Sequence, residues 1–385
     1  MKVCIIRNAE AKTNAGMLRV VDALTDGGYE PFFLSRNRSQ KKGERKILES
    51  KYDVKDKLVE NYEFQIPSKT GRGVSNISQL LVYQLIVFCW LLSNNKKFDS
   101  IHAFDLDAGI PSLIVTKLFK KPLVYHIADF YVDSRPGIPR KIKSWIRKLE
   151  YKIISSANVT IICTEERINQ IKGSSPKKLE VIHNTPVNIG PEETETARSN
   201  KLNTKLNHTE SFRLCYVGSL EEKRFIKSLI NVVSQDQRIQ LEIAGVGNLE
   251  NYVSEASNQY SNVNFHGKVD YNRALDLYTT CDAMFAIYDP SIPNHKFSAP
   301  NKVYESMMLG KPIIVAKGTG IDKIVQSEKI GISINYSEKD FKESLDYLLR
   351  NPQIVNEMGE RSKEVFKLYS WSTMKDKLIK IYNEI

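Results

Sequence analysis

The sequence predicts an α/β protein made of two doubly wound parallel sheets. Three observations carry this. Short apolar runs of strand length alternate with helix-length amphipathic segments from end to end, the rhythm of parallel strands with covering helices. The chain has 385 residues, more than one hydrophobic core usually supports, so two domains are expected. A polar stretch without apolar period, Thr185 to Ser211, divides it near the middle and reads as a linker.

In chain order, strands are expected at Lys2–Ile6, Pro31–Leu34, Ser100–Ala103, Pro122–Tyr125, Val159–Cys163 and Leu179–Ile182. A helix from Gly16 to Thr25 follows the first strand and stops at Gly27-Gly28. The most apolar run, Ile77 to Leu92, falls short of the roughly 20 residues that cross a bilayer and contains Gln79 and Gln84. It reads as a buried or surface-lying helix. After the linker the rhythm restarts, with strands at Phe212–Val217, Leu241–Ala244, Val263–His266, Ala283–Ile287, Pro312–Ala316 and Gly331–Ile334. The last stretch, Asn356 to Ile385, is helical in period with a break at Tyr369-Ser370-Trp371, and its apolar side must be buried on something. The expected domains are therefore 1–188, a linker 189–211, a second domain 212–368, and a tail 369–385.

Composition narrows the class. Apolar residues make up 41% and charged residues 26%, as in soluble globular proteins. Five cysteines without a Cys-x-x-Cys spacing argue against a zinc site or a disulfide framework, and a reducing, cytoplasmic setting is expected. The N-terminal apolar run is too short for a signal-peptide core. The net charge of +11 calls for an anionic partner or surface.

Doubly wound sheets bind ligands outside the carboxyl ends of their strands, and two of them imply an enzyme with a cleft between facing sets of strand ends. The most informative segment runs from Asn294 through Gly310 to Ala316: a polar loop, a short helix and a buried strand. Ser298 or Asn301 can cap the helix, Pro300 suits its first turn, and Gly310 suits a left-handed C-cap. Its N-terminus then forms an anion site, to which Lys302 adds a charge. Glu305, one turn deeper, can accept hydrogen bonds from two ribose hydroxyls; the alternative is an ordinary exposed glutamate on an amphipathic helix. An NAD-type Gly-x-Gly-x-x-Gly turn is excluded because the glycines are missing after the first strand.

Pro300-Asn301-Lys302-Val303-Tyr304-Glu305 followed by Met308-Leu309-Gly310-Lys311-Pro312-Ile313-Ile314 resembles the donor signature of the retaining GT-B glycosyltransferases of family 4. The resemblance extends over nearly the whole chain. Tyr216 to Arg224 is similar to the strand and loop that open the family's second domain, with Gly218 at the turn, Ser219 in place of the usual Arg, and Lys223 and Arg224 left as the cationic pair for the donor diphosphate. Ala244-Gly245-Val246-Gly247 resembles the following glycine turn. Val181 to Asn184 matches a family strand ending in Asn, and Trp371 matches the aromatic of a crossover tail that packs on the first domain. Lys12 to Gly16 lies where the family has a Gly-rich loop near the diphosphate, with Gly16 the one glycine kept.

Two departures concern the transferred sugar. The first glutamate of the family's pair is replaced by Phe297, leaving backbone N–H groups of Phe297–Ala299 as substitutes. In Tyr125 to Tyr131, Ala128 stands where a His is expected, so His126 or Asp129 is the candidate for contacts to acceptor or sugar; a strand-end His paired with a carboxylate is the alternative for His126. His102 and Asp105 end a neighbouring strand, with structural roles equally open, and Asp105-Leu106-Asp107 is read as structural and not as a metal motif.

The resemblance implies a hexosyltransferase-type enzyme that moves a sugar from a nucleotide-sugar, UDP on family frequency, to a glycan or polyprenyl-linked acceptor in surface polysaccharide or glycolipid assembly. Neither a cofactor nor a metal is expected. Basic segments at Arg36–Lys57, Lys117–Lys121 and Arg135–Lys152 concentrate charge in the first domain. The last has Ile142, Trp145, Ile146 and Leu149 on one helical side, the pattern of a helix lying on an anionic membrane or of a solvated basic face over a packed side. The competing readings are a GT-B sugar-nucleotide epimerase, a transferase to a soluble acceptor, and a basic nucleic-acid-binding protein. The last lacks a basic strand interleaved with aromatics, and no nucleic-acid partner is expected.

Overall fold

The computed structural model describes residues 1–38, 47–54, 57–67, 77–135, 137–187 and 211–385. The chain divides into two compact units, residues 1–183 with 374–385, and residues 184–373. Most of the expected linker 189–211, and parts of the basic segments Arg36–Lys57 and Arg135–Lys152, lie outside the described residues.

The first unit is built on an eight-stranded sheet: β1 Lys2–Ile6, β2 Glu30–Asn37, β3 Ile47–Val54, β4 Lys57–Gln65, β5 Ser100–Phe104, β6 Leu123–Ile127, β7 Val159–Ile162 and β8 Leu179–Val181. Their order is β3-β4-β2-β1-β5-β6-β7-β8. All pairs are parallel except β3 with β4. This edge pair was not expected, because the charged residues of 36–57 obscure its period-two alternation. β3 is largely exposed, whereas β4 buries Val59, Tyr62 and Phe64.

The central strands are apolar on both faces and fully covered, as parallel strands require. Cys4, Ile6, Leu34, Ile101, Tyr125 and Ile127 share one core with Tyr83, Val87 and Leu91 of the helix Ile77–Ser93. That helix is half buried, with Leu81 and Leu85 60% and 61% exposed. Among the described residues no helix is long and apolar enough to cross a membrane.

The second unit carries six parallel strands, β9 Phe212–Val217, β10 Ile239–Ala244, β11 Val263–Phe265, β12 Ala283–Ala286, β13 Ile313–Ala316 and β14 Gly331–Ile334, in the order β11-β10-β9-β12-β13-β14. The strand order reverses between β1 and β5 in one sheet and between β9 and β12 in the other. Doubly wound sheets bind ligands outside the carboxyl ends of their strands at switch points of this kind.

The tail breaks at Ser370, whose extended backbone separates the helices Pro352–Tyr369 and Trp371–Asn383. From Met374 onward it belongs to the first unit. Met374, Leu378, Ile381 and Tyr382 are buried there, Lys375 pairs with Asp26 at 2.5 Å, and the Tyr382 hydroxyl lies 2.8 Å from His102 Nδ1. The apolar side of the tail is thus buried, as the period of Asn356 to Ile385 demands.

Candidate active site

The second unit gathers its functional groups at the β9–β12 switch. β9 ends at Val217, whose carbonyl accepts from the Tyr278 hydroxyl at 3.1 Å. Gly218 and Gly245 follow β9 and β10 and lie back to back. Gly245 has φ of +143°, and a Cβ there would stand 1.7 Å from the Gly218 carbonyl oxygen. Only glycine permits that approach. On the other side of the turn, a Cβ on Gly218 would stand 2.7 Å from Lys302 Nζ, so the missing side chain makes room for the lysine.

Lys302 comes from the helix Asn301–Leu309, which ends in left-handed Gly310 as expected. Its start differs from expectation. The N-cap is Pro300, in extended conformation and with no side-chain cap bond. Asn301 is the first helical residue and is exposed. Ser298 donates its hydroxyl to the His295 carbonyl at 3.0 Å and closes the preceding 3₁₀ turn instead, and its N–H is likewise spent on His295. Proline supplies the extended backbone an N-cap needs, and lacking a side-chain acceptor it leaves the first-turn N–H groups to other partners.

Lys302 is not the mobile surface charge its position in the sequence implied. Its Nζ lies 4.6 Å from the Tyr216 ring centroid, and the Tyr216 hydroxyl donates to the Ser219 carbonyl at 2.7 Å. Burial opposes its charge, but Tyr288, Tyr216 and Glu305 outweigh this and hold the ammonium above the ordinary lysine value. Glu305, one turn further, is 6% exposed. The exposed-glutamate alternative is therefore excluded.

The expected cationic pair is split. Lys223 is exposed. Arg224 is half buried, with its guanidinium 3.7 Å from the Tyr288 ring centroid and its Nη1 buried with no hydrogen-bond partner among the described residues. The cause is local: Glu222–Arg224 is a 3₁₀ turn closed by Phe225 at φ +66°, which turns consecutive side chains apart.

His295 escaped the sequence reading. Its Nδ1 lies 2.9 Å from the Asp289 carbonyl and its ring 5.3 Å from Tyr288. Burial, then Arg224, lowers its pKa, so the ring is neutral and donates from Nδ1. Its spacing matches no motif, and it is found only through the fold of the loop.

In the first unit the sequence-derived residues have different fates. Gly16 is inside the helix Ala15–Asp26, and a Cβ on it would stand 2.7 Å from Arg7 Nη1. Arg7, not anticipated, donates to Asn14 Oδ1 at 2.8 Å, lies over Phe104 at 4.7 Å and stands 3.7 Å from Asp105. Asp105 accepts from the N–H groups of Ala128 and Asp129 at 2.8 and 2.9 Å. It therefore ties β5 to the loop after β6, and burial pushes its carboxyl up to about 6 although Arg7 opposes the shift.

His126 is 6% exposed, stacks on Phe104 at 4.5 Å, and has Nδ1 3.1 Å from His102 Nε2. Burial, then His102, lowers its pKa far below the usual histidine value, so the chain Tyr382–His102–His126 is neutral. The carboxylate partner considered for His126 is thus a second histidine. Asp129 is exposed at the strand end.

Residues 198–365 match the family model described as Glycosyl transferases group 1. An uncharacterized glycosyltransferase, MJ1178, of Methanocaldococcus jannaschii is 23% identical over 301 residues, which cover 76% of this chain and 77% of that protein. Among solved structures, sucrose-phosphate synthase from Thermosynechococcus elongatus superposes with a TM-score of 0.78 at 14% identity, covering 100% of this chain and 98% of that one. Anabaena HepE, in complex with UDP and glucose, superposes with a TM-score of 0.69 at 14% identity over the full length of both chains. The fold is GT-B, and the chain is a glycosyltransferase. Its similarity to the group 1 glycosyltransferases lies in residues 198–365, which fall within the second unit.

Proposed function

We propose that this enzyme transfers a hexose from a UDP-sugar, with retention at the anomeric carbon in the manner of family 4, to a glycan or polyprenyl-linked glycan held by the first unit, in the assembly of surface polysaccharide or glycolipid. One observation carries the donor assignment: a buried, unpartnered guanidinium nitrogen of Arg224 stands near Lys302 on a helix whose start has no side-chain cap. Positive charge and spare N–H groups concentrated at a strand-order switch suit a diphosphate.

As the bond from the anomeric carbon to the diphosphate breaks, negative charge grows on the leaving phosphate oxygens. Arg224, Lys302 and the helix N–H groups stabilise it without a metal. Glu305 accepts from the ribose hydroxyls, and the N–H groups of Phe297 and Ala299 face the transferred sugar. No protein nucleophile is assigned. Among the described neighbours, the UDP bound by HepE supports uridine over guanosine.

Glu305→Ala is expected to weaken UDP binding about 100-fold, since two hydrogen bonds to a charged acceptor are lost. Calorimetric titration of the full-length protein, with thermal unfolding as a folding control, measures this. Undiminished affinity rejects the ribose role. Nucleotide release from a panel of UDP- and GDP-sugars identifies the donor.

The acceptor is proposed to reach the first unit at the inner face of the cell membrane. Ile146 and Leu149 of the helix Arg140–Ser156 pack toward the core, whereas Ile142 and Trp145 are 50% and 66% exposed among exposed Arg140, Lys141 and Lys148. The apolar side is thus divided between core and surface. Vesicles of phosphatidylglycerol should sediment the protein, phosphatidylcholine vesicles should not, and Trp145→Ala should reduce the difference. Equal behaviour on both lipids removes the membrane role.

A further inference from the structure

A second group of unspent polar atoms lies in the first unit, beside the ends of β1, β2 and β5. Arg36, read from the sequence as part of a basic surface segment, is 2% exposed. Its Nε donates to the Ile66 carbonyl at 2.9 Å and its Nη1 to Asn8 Oδ1 at 3.0 Å. Its guanidinium lies 5.7 Å from the Tyr83 ring centroid. Arg38 donates from Nη2 to the Asn8 carbonyl at 2.7 Å. Asp107, 6% exposed, accepts on Oδ2 from Asn8 Nδ2 at 2.8 Å, with Arg135 at 3.7 Å.

This network is incomplete in one consistent way. Arg36 Nη2, Arg38 Nε, the Tyr83 hydroxyl and Asp107 Oδ1 are all buried without a hydrogen-bond partner among the described residues. Buried polar groups in folded proteins are satisfied as a rule, and orphans clustered in one place call for an explanation. Arg36 lies within electrostatic reach of both Arg38 and Asp107, and Arg135 approaches Asp107 at 3.7 Å, so three guanidinium groups share the region with this carboxylate. Burial, then Arg38, lowers the Arg36 pKa to about 10.

We propose that this nest binds a phosphate group carried by a hydroxylated acceptor, a sugar phosphate or a sugar on a lipid phosphate. The spare guanidinium N–H groups of Arg36 and Arg38 donate to the phosphate oxygens, the pairing for which a planar guanidinium is suited. Arg135, 35% exposed and 3.7 Å from Asp107, adds the third charge. Asp107 Oδ1 accepts from an acceptor hydroxyl and the Tyr83 hydroxyl completes the polar lining. Phosphate alone would leave the carboxylate oxygen unused; a phosphorylated polyol uses both signs of the site. The proposal rests on the acceptor-side role of the first unit given above and sharpens it to an anionic acceptor.

The test uses the full-length protein saturated with UDP, so that the diphosphate site of the second unit is occupied. Inorganic phosphate, glucose 6-phosphate and undecaprenyl phosphate in detergent micelles are then titrated separately. Binding of phosphate is expected in the presence of UDP, and Arg38→Gln should weaken it about tenfold or more without changing UDP affinity. Glucose 6-phosphate should bind more tightly than inorganic phosphate, and Asp107→Asn should remove that margin. Preference for the micellar ligand assigns a lipid-borne phosphate, and preference for glucose 6-phosphate assigns a soluble one. Arg36→Gln is the stricter variant, and because it alters a buried charge, partly exposed Arg38 carries the test if it fails to fold. Absence of phosphate binding in the UDP-saturated protein, or equal binding by wild type and Arg38→Gln, overturns the proposal. Failure to bind UDP instead overturns the donor assignment, and the phosphate titration repeated without UDP still decides this one.

Discussion

Replacing Lys302 by Met should lower kcat/KM about 100- to 1000-fold while leaving thermal stability nearly unchanged, the range seen when one preorganised group opposite developing charge is removed. The expectation follows from how Lys302 is held. Its ammonium stands over Tyr216 at 4.6 Å in the space left by Gly218, and Glu305 helps keep it charged. No rearrangement is needed as the diphosphate departs. Methionine keeps the stem and loses the charge, which separates electrostatics from packing. Lys302→Arg should fare little better, because the larger guanidinium does not fit between Tyr216 and the Gly218 turn. Nucleotide release under saturating and limiting donor measures kcat and KM separately. A Met variant within about threefold of wild type would show that Lys302 does not face the leaving group.

Gly245→Ala should unfold the second unit or leave it insoluble. The new Cβ would meet the Gly218 carbonyl oxygen at 1.7 Å, and φ of +143° is strained for any other residue. The obstacle is backbone that is itself committed: the Gly218 N–H donates to the Ala244 carbonyl at 3.0 Å and the Gly245 N–H to the Gly267 carbonyl at 2.8 Å. Relief therefore requires the turns after β9 and β10 to part, at a cost of about 3 kcal/mol or more. Thermal unfolding followed by circular dichroism measures the loss. A variant with the wild-type midpoint would mean that these turns do not need to touch.

The elements read most accurately from sequence were those whose signals are local. β9 and β14 fall at the expected residues, and Gly310 takes the left-handed C-cap, because an apolar run or a terminal glycine acts within a few residues of itself. The pair β3–β4 escaped detection because its charged, half-exposed alternation resembles a basic surface segment. Only the partner strand β2 tells the two apart. Arg36 escaped for the same reason: as a letter in a run of Lys and Arg it is a surface charge, and only its place on β2 over Tyr83 makes it a buried one.

The candidate site divides along the same line. Local helix spacing placed Lys302 and Glu305 one turn apart on one helix, whereas Gly218 and Gly245 came from the resemblance of their segments to the family's glycine turns. The cap assignment of Ser298 and Asn301, the pairing of Lys223 with Arg224 and the role of His295 were not legible in the sequence. Each depends on the direction in which a short turn aims its side chains.

By itself, the sequence determined that the chain forms two α/β sheets with glycine turns at their ends and an acidic residue one helical turn past a lysine. Tertiary structure decided which charges are buried. Arg224 is turned onto Tyr288 while Lys223 stays in water, Lys302 fills the space Gly218 leaves, and Arg36 is enclosed beside Asp107. The physical reason is that the energy of a charge is set by neighbours distant in sequence, whereas helix, strand and turn preferences are set by residues close to it in the chain.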